Sequence, residues 1–430
     1  MIITIKGTGN QYVLSENCEI DGVLYVFNSL PNSIKINDVN KESILKSYNL
    51  EDETNTIRMT WGTSTTSFKA MFCGLSNIIN IQFIYLRNAI TDVSFMFNGC
   101  NNLESIDFGD DFDASRLVNT KYMLAGCSKL ETLDLGYFNS NQVNNMDSMF
   151  RGCTSLRELN LGPYFYTASV QNMAYMFQDC SSLISINFNN FNSPNCLYMD
   201  HMFNGCTSLV SIQFGTSIDT SNVVNMRYMF AGCNQLVSIN LNSFNTCNVN
   251  STDYMFNGCT LLRSINLGSD FKTSNVNNME YMFNGCNNLE SIDLTTNFET
   301  INVHNMRYMF AGCNKLEALN LNLFDTYGVS NMDSMFRGYT SLKNIYLGGN
   351  FDTSSVTNMA HIFQDCISLI SINLNNFYSP KCLYMDHMFN GCTSLQSIQF
   401  GANFVTSNVV NMAYMFAGCN KLLSIRFKFF

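Results

Sequence analysis

Along most of the chain the apolar positions follow one short grammar, as in Met282-Phe283-Asn284-Gly285-Cys286-Asn287-Asn288-Leu289-Glu290-Ser291-Ile292-Asp293-Leu294. The Leu-x-x-Ile-x-Leu segment after the cysteine recurs as Leu103/Ile106/Phe108, Leu209/Ile212/Phe214 and Leu395/Ile398/Phe400. Its second half alternates, which predicts a short strand with Ile and Leu facing inward and the residues between them facing outward. A Phe-x-Thr-Ser-x-Val loop follows, as in Phe271-Lys272-Thr273-Ser274-Asn275-Val276. Its Thr/Ser pair is suited to capping a following turn of helix. The next stretch, Val-x-x-Met-x-x-Met-Phe, carries apolar residues every third position, for example Val170, Met173, Met176 and Phe177. That period predicts a short helical or 3₁₀ segment with one buried stripe.

The second Met of this stretch falls at Met71, Met96, Met123, Met149, Met176, Met202, Met229, Met255, Met282, Met309, Met335, Ile362, Met388 and Met415. Fourteen units at steps of 25 to 27 residues mean a repeat solenoid. One unit by itself leaves a side of its core in water, so the units must stack to bury their Leu, Ile, Phe, Val and Met.

A shift of 186 residues, seven units, superposes Asn98 to Asp107 on Asn284 to Asp293 without a change. The same shift lays Cys196 to Cys206 on Cys382 to Cys392, again identical. Surface positions match as closely as core ones, which packing does not require. The second half is therefore read as a block duplication, and a site built in the first block is expected to have a counterpart in the second.

Residues 1–56 lie outside this pattern. Ile3/Ile5, Tyr12-Val13-Leu14, Val23 to Phe27 and Ile34-Lys35-Ile36 read as short strands between Gly, Asn and Pro turns. They predict a β-rich cap over the first coil, with the solenoid occupying 57–430 and Ile57-Arg58-Met59-Thr60-Trp61 resembling a repeat strand. At the other end the chain stops soon after a strand, at Phe427-Lys428-Phe429-Phe430. An uncovered end there would expose an apolar cross-section and unpaired strand edges, which reads as a fragment of a longer chain, as end-to-end association with Phe427, Phe429 and Phe430 as its candidate residues, or as an end covered by a partner.

The Asn-Met-x-x-Met-Phe-x-Gly-Cys-x-x-Leu-x-x-Ile-x-Leu unit, with its Phe-x-Thr-Ser-x-Val loop, resembles the 26-residue leucine-rich-type repeat of the BspA-like surface proteins, over about residues 57–430. The resemblance implies a leucine-rich-repeat-like, right-handed coil of short parallel strands and short helical segments. It also implies display on a cell surface and adhesion to proteins or other cells. The chain as given shows no export signal, and its many free thiols fit an intracellular or particle-associated setting.

Composition narrows the function further. With 23 Lys+Arg against 33 Asp+Glu the net charge is -10, which argues against nucleic acid as partner. No apolar run approaches a membrane span, so membrane insertion is not expected. Twelve of the 17 Cys occupy one repeat position, from Cys100 to Cys419, with Leu75 and Tyr339 replacing them in two units. A site that accepts Leu is apolar, so these thiols read as buried space-fillers. Cys18, Cys73, Cys196, Cys247 and Cys382 lie off that column. No Cys-x-x-Cys pair is present, and neither a metal nor another cofactor is expected. Asp200-His201 and Asp386-His387 read as solvated surface pairs, and the acidic pairs Glu51-Asp52 and Asp110-Asp111 lack the cleft that acid–base chemistry needs. No phosphate loop or dinucleotide fingerprint occurs, so no catalytic residue is assigned.

What remains is the outward strand face. Its candidate binding residues are Asn187, Gln213, Asn240, Asn266, Asp293, Asn320, Tyr346, Asn373 and Gln399, flanked by a column of Ser. Small hydrogen-bonding groups in register suit a polar partner such as a glycan or an extended peptide, and they equally suit a stacked amide ladder that binds nothing. The expected function is non-enzymatic: adhesion or protein interaction through the solenoid surface, with a structural scaffold that self-associates through its C-terminal end as the alternative. A regular Thr column (Thr220, Thr246, Thr273, Thr300, Thr326, Thr353) raises a third reading, an ice-binding face.

Overall fold

In the computed structural model, which describes residues 1–20, 22–84, 90–109, 112–294 and 297–427, the alternating segments are short strands paired in parallel with their counterparts one repeat away. The chain divides into two units, Met1–Ile218 and Asp219–Phe430.

The first unit holds β1 (Ile2–Lys6), β2 (Gly9–Tyr12), β3 (Cys18–Ile20), β4 (Val23–Tyr25), β5 (Ser33–Ile36), β6 (Val39–Asn40), β7 (Ser47–Leu50) and β8 (Thr54–Thr60). It continues with the repeat strands β9 (Ile78–Gln82), β10 (Ser105–Asp107), β11 (Thr132–Asp134), β12 (Glu158–Asn160), β13 (Ser185–Phe188) and β14 (Ser211–Phe214). β1 lies antiparallel between β8 and β9, so the N-terminal sheet runs directly into the first repeat strand. β8 crosses the 56/57 boundary and pairs with β1 and β5, which makes Ile57 to Thr60 part of the antiparallel N-terminal sheet and not a repeat strand. Its apolar alternation is the same as a repeat strand's, and only its partners differ. Two further ties hold the N-terminal segment to the first coil: the Ser15 amide donates to the Met71 carbonyl at 2.8 Å, and Cys18 is disulfide-bonded to Cys73.

The second unit contains β15 (Ser238–Asn240), β16 (Ser264–Asn266), β17 (Ser291–Ile292), β18 (Ala318–Leu321), β19 (Asn344–Leu347), β20 (Ser371–Leu374), β21 (Ser397–Phe400) and β22 (Ser424–Phe427). Like residues pair with like: Ser238 with Ser264 and Ser264 with Ser291. Further along, Asn320 pairs with Tyr346 and Asn373 with Gln399. A second column of single bridges runs through the polar residue before each first Met, or before Thr252 in the one coil where Thr replaces it, from Asn225 through Ser251, Asn278, Asn305, Asn331, Asn358 and Tyr384 to Asn411.

The Met-x-x-Met-Phe-x-Gly-Cys stretch is not helical. Among the described residues it is a run of turns in every coil, which corrects the short helical or 3₁₀ segment expected from its period of three. Met282, Asn284 and Cys286 donate their amides to carbonyls three residues back, at 3.3, 3.1 and 3.2 Å. The residues between them, Tyr281, Phe283 and Gly285, donate to Arg307, Met309 and Ala311 of the next coil at 2.9, 2.9 and 2.7 Å. A helix would spend every amide internally, whereas this corner spends alternate amides on its neighbour. The same geometry needs positive φ twice per turn run, at Tyr281 (56°) and Gly285 (71°), as in chained turns with a left-handed third residue. Glycine suits the second position because coils approach closely there: a Cβ on Gly285 would sit 3.6 Å from the Gly258 Cα.

Inside each coil the apolar residues stack on their own copies. Phe230, Phe256, Phe283, Phe310, Phe336, Phe363 and Phe389 form a column with centroids 5.3 to 6.1 Å apart and rings within about 12° of parallel. Each such pair adds about 0.5–1.5 kcal/mol beyond the area it buries. The column thiols are buried as expected, apart from the half-buried Cys419, and most donate to a phenylalanine carbonyl of the preceding coil, for example Cys259 Sγ to Phe230 O at 3.1 Å, while Cys153 donates to the Leu124 carbonyl at 3.2 Å. Burial pushes the thiols of Cys100, Cys153 and Cys259 up to about 12.

The Thr column is internal. Thr220, Thr246, Thr273, Thr300, Thr326 and Thr353 are at most 1 % exposed, and their hydroxyls donate to carbonyls one coil on. A buried column offers no face to ice, and the regularity comes from clamping coil to coil. No helix of the described residues is long and apolar enough to cross a membrane.

Candidate functional site: the outward strand face and the turn face

Each strand turns its Ile and Leu inward and its Ser and amide residues outward, so the alternation read from sequence fixes what the surface presents. Asn187 on β13 and Gln213 on β14 are exposed, as are Asn240 and Asn266 on β15 and β16. Asp293 is exposed just after β17, Asn320 and Tyr346 on β18 and β19, and Asn373 on β20, while Gln399 on β21 is half-buried. Of the end residues, Phe427 closes β22, while Phe429 and Phe430 lie outside the described residues. The pair Asp110-Asp111 lies outside them too, and Asp52 accepts a hydrogen bond from Asn37 Nδ2 at 2.9 Å.

The recurrence of Asn at the outward position has a local cause. The side-chain oxygens of Asn187, Asn240, Asn320 and Asn373 each accept the backbone amide two residues on, at 2.9 to 3.1 Å, and so shape the turn that ends the strand. Neighbouring coils also share amides, as Asn266 Nδ2 does with Asn240 Oδ1 at 3.0 Å.

Beyond these turns lie open clefts. One in the first unit, about 390 Å³, is lined by Asn160, Leu161, Phe165, Asn187, Asn189 and Phe191. One in the second unit, about 320 Å³, is lined by Tyr346, Leu347, Phe351, Asn373, Asn375 and Phe377. These sets are related residue by residue by the 186-residue shift, with Tyr346 standing where the first block has Asn160. Tyr346 is 54 % exposed, and the floor of its cleft is the buried pair Phe351 and Phe377. The Asn375 side-chain oxygen in this cleft is shielded from solvent and has no hydrogen-bond partner.

The turn face carries a second pattern that the sequence reading did not single out. The residue at the first positive-φ position of each turn run is usually aromatic, and these rings stack in a ladder. Tyr228, Tyr254, Tyr281 and Tyr308 follow one another at 4.3 to 4.6 Å, and His361, His387 and Tyr414 at 4.8 and 5.1 Å. Charged residues one position earlier run beside them. Arg307 bridges Glu280 at 3.4 Å and Asp333 at 3.1 Å while lying over the rings of Tyr281 and Tyr308. Burial, then Glu280 and the adjoining phenols, raises the Tyr254 phenol above its ordinary value. The Tyr at fixed offset before Met-Phe was the visible signal in the sequence. Its stacking follows only once the coils are known to be in register.

A leucine-rich cell surface protein from Faecalibacterium prausnitzii A2-165 is 17% identical, with a TM-score of 0.41, covering 86% of this chain and 84% of its own. A leucine-rich repeat protein from Bacteroides ovatus ATCC 8483 is 18% identical, with a TM-score of 0.46, covering 96% and 92%. No curated protein matches. The family model described as "Mycoplasma protein of unknown function, DUF285" matches overlapping stretches that together run from residue 66 to residue 426. The repeat grammar that fixes both faces is thus shared with a family, and the chain belongs to DUF285.

Proposed function

We propose that the chain is a non-enzymatic binding protein whose outward strand face mediates adhesion, by holding a polar, extended ligand such as a glycan or a peptide. The observation that carries this is the Tyr346 cleft. An exposed phenol, amide side chains on the rim and an apolar floor form the combination that sugar rings and extended peptides use: an apolar face to stack on and hydrogen-bonding groups around it. Outward Ser371 on β20 keeps the approach beside the cleft open, since a small side chain lets another backbone or a sugar come close.

The test is a glycan and peptide array probed with the wild-type chain, Tyr346→Ala and Tyr346→Asn, the last reproducing the first-block residue. A ligand bound by wild type and weakened at least about tenfold by both variants supports the proposal. Binding that neither variant changes, or no binding to any array member, would overturn it.

A further inference from the structure

We infer that His361, Asp386 and His387 form a binding site for one divalent transition-metal ion of the zinc class. The turn run of one coil supplies His361, and that of the next supplies Asp386 and His387. His361 and His387 occupy the same positive-φ position (59° and 56°), which aims both imidazoles out of the turn face with their centroids 4.8 Å apart. Asp386 Oδ2 lies 3.3 Å from His387 Nδ1 and 3.9 Å from His361 Nε2. The three ligand atoms all fall within 4.8 Å of one another.

A tetrahedral ion with bonds of about 2.0–2.2 Å needs its ligand atoms roughly 3.3–3.5 Å apart. One edge already has that length, and the others close by a rotation of the imidazoles, about 30 % exposed, out of their stacked arrangement towards a shared point. Two imidazoles and one carboxylate suit zinc, cobalt or nickel, not calcium or magnesium, which prefer oxygen throughout.

A supporting shell is in place. His361 Nδ1 faces Asp333 Oδ1 at 3.4 Å, the carboxylate–imidazole contact that orients a metal-binding ring and leaves Nε2 for the ion. Asp333 is itself held by Ser334 Oγ at 2.9 Å and Arg307 Nε at 3.1 Å. Arg307 is thus engaged with Asp333, and the Asp386 carboxylate contributes the negative charge at the ion position.

The block duplication supplies an internal comparison. Shifted by 186 residues, Asp333, Asp386 and His387 become Asp147, Asp200 and His201, but His361 becomes Tyr175. Tyr175 stacks on His201 at 4.5 Å, as His361 does on His387, and Asp200 lies 3.2 Å from His201 Nδ1. The first block therefore repeats the scaffold with one imidazole missing, so the full chain takes one ion and not two.

Isothermal titration of the full chain with Zn²⁺, checked by the absorption spectrum of the Co²⁺ form, tests this. The expected result is one ion per chain, with a nitrogen- and oxygen-ligand cobalt spectrum free of thiolate charge transfer. His361→Tyr, which copies the first block, should weaken binding at least ~100-fold at unchanged thermal unfolding, and Tyr175→His should raise the count to two. Retention of the ion in His361→Tyr, a count still at one in Tyr175→His, a thiolate band, or no binding by wild type would overturn the inference.

Discussion

Tyr339 stands in its coil where Cys313 stands in the coil before, and the two meet the column differently. The Cys313 thiol donates to the Phe283 carbonyl at 3.4 Å, whereas the Tyr339 hydroxyl, on a side chain with no exposure, has no hydrogen-bond partner. A buried unpaired hydroxyl costs about 1–3 kcal/mol. Tyr339→Phe keeps the ring and removes that cost, so urea unfolding should show a gain of about 1 kcal/mol or more. A loss of stability would mean that the hydroxyl is satisfied in solution.

The Thr column is expected to act through its hydroxyls. Thr273→Val preserves shape but removes the bond from Thr273 Oγ1 to the Glu299 carbonyl, which is 2.6 Å long. The expected cost is about 1 kcal/mol, measured by thermal unfolding. An unchanged melting temperature would remove the coil-to-coil clamp from the account.

Stability should fall in alkali. In the folded chain the thiols of Cys100, Cys153 and Cys259 stay protonated to about 12, while their ordinary value is 9.0. Above pH 9 the unfolded chain therefore binds fewer protons than the folded one, so this stabilisation is complete below about 9 and is lost as pH rises towards 12. Each such thiol contributes a slope of about 1.4 kcal/mol per pH unit in that window. Urea unfolding at pH 8 and pH 10 checks the direction, and Cys153→Ala with Cys259→Ala should flatten the slope. Stability independent of pH over that range would contradict the burial of the column.

Much of this architecture is legible in the residues because repetition multiplies weak signals. One Leu-x-x-Ile-x-Leu is ambiguous, but fourteen in register leave little choice, and the burial of the thiols follows from Leu75 sharing their position. The turn runs were misread because a residue every third position marks both a helix and chained turns with bonds three residues back. Only the partners of Tyr281, Phe283 and Gly285 in the next coil separate the two. The Cys18–Cys73 disulfide was not foreseen, since it joins the irregular N-terminal segment to the first coil across 55 residues, where no repeat fixes the register. The His361, Asp386 and His387 cluster was missed for a related reason. Local motifs detect ligands near in sequence, whereas stacking brings together residues one coil apart. The column thiols say little about compartment, because burial, more than redox setting, keeps them unreactive.

The central claim is that successive repeats lie directly on one another in register, and engineered cross-linking tests it most directly. Ser238 and Ser264 are paired across adjacent strands, while Ser264 stands between Ser238 and Ser291. Parallel strands about 4.8 Å apart meet the Cα separation a disulfide requires, and twice that distance does not. Under mild oxidation the Ser238→Cys, Ser264→Cys pair should cross-link rapidly, and the Ser238→Cys, Ser291→Cys pair should not. Equal cross-linking of both pairs, or of neither, would contradict the stacked register.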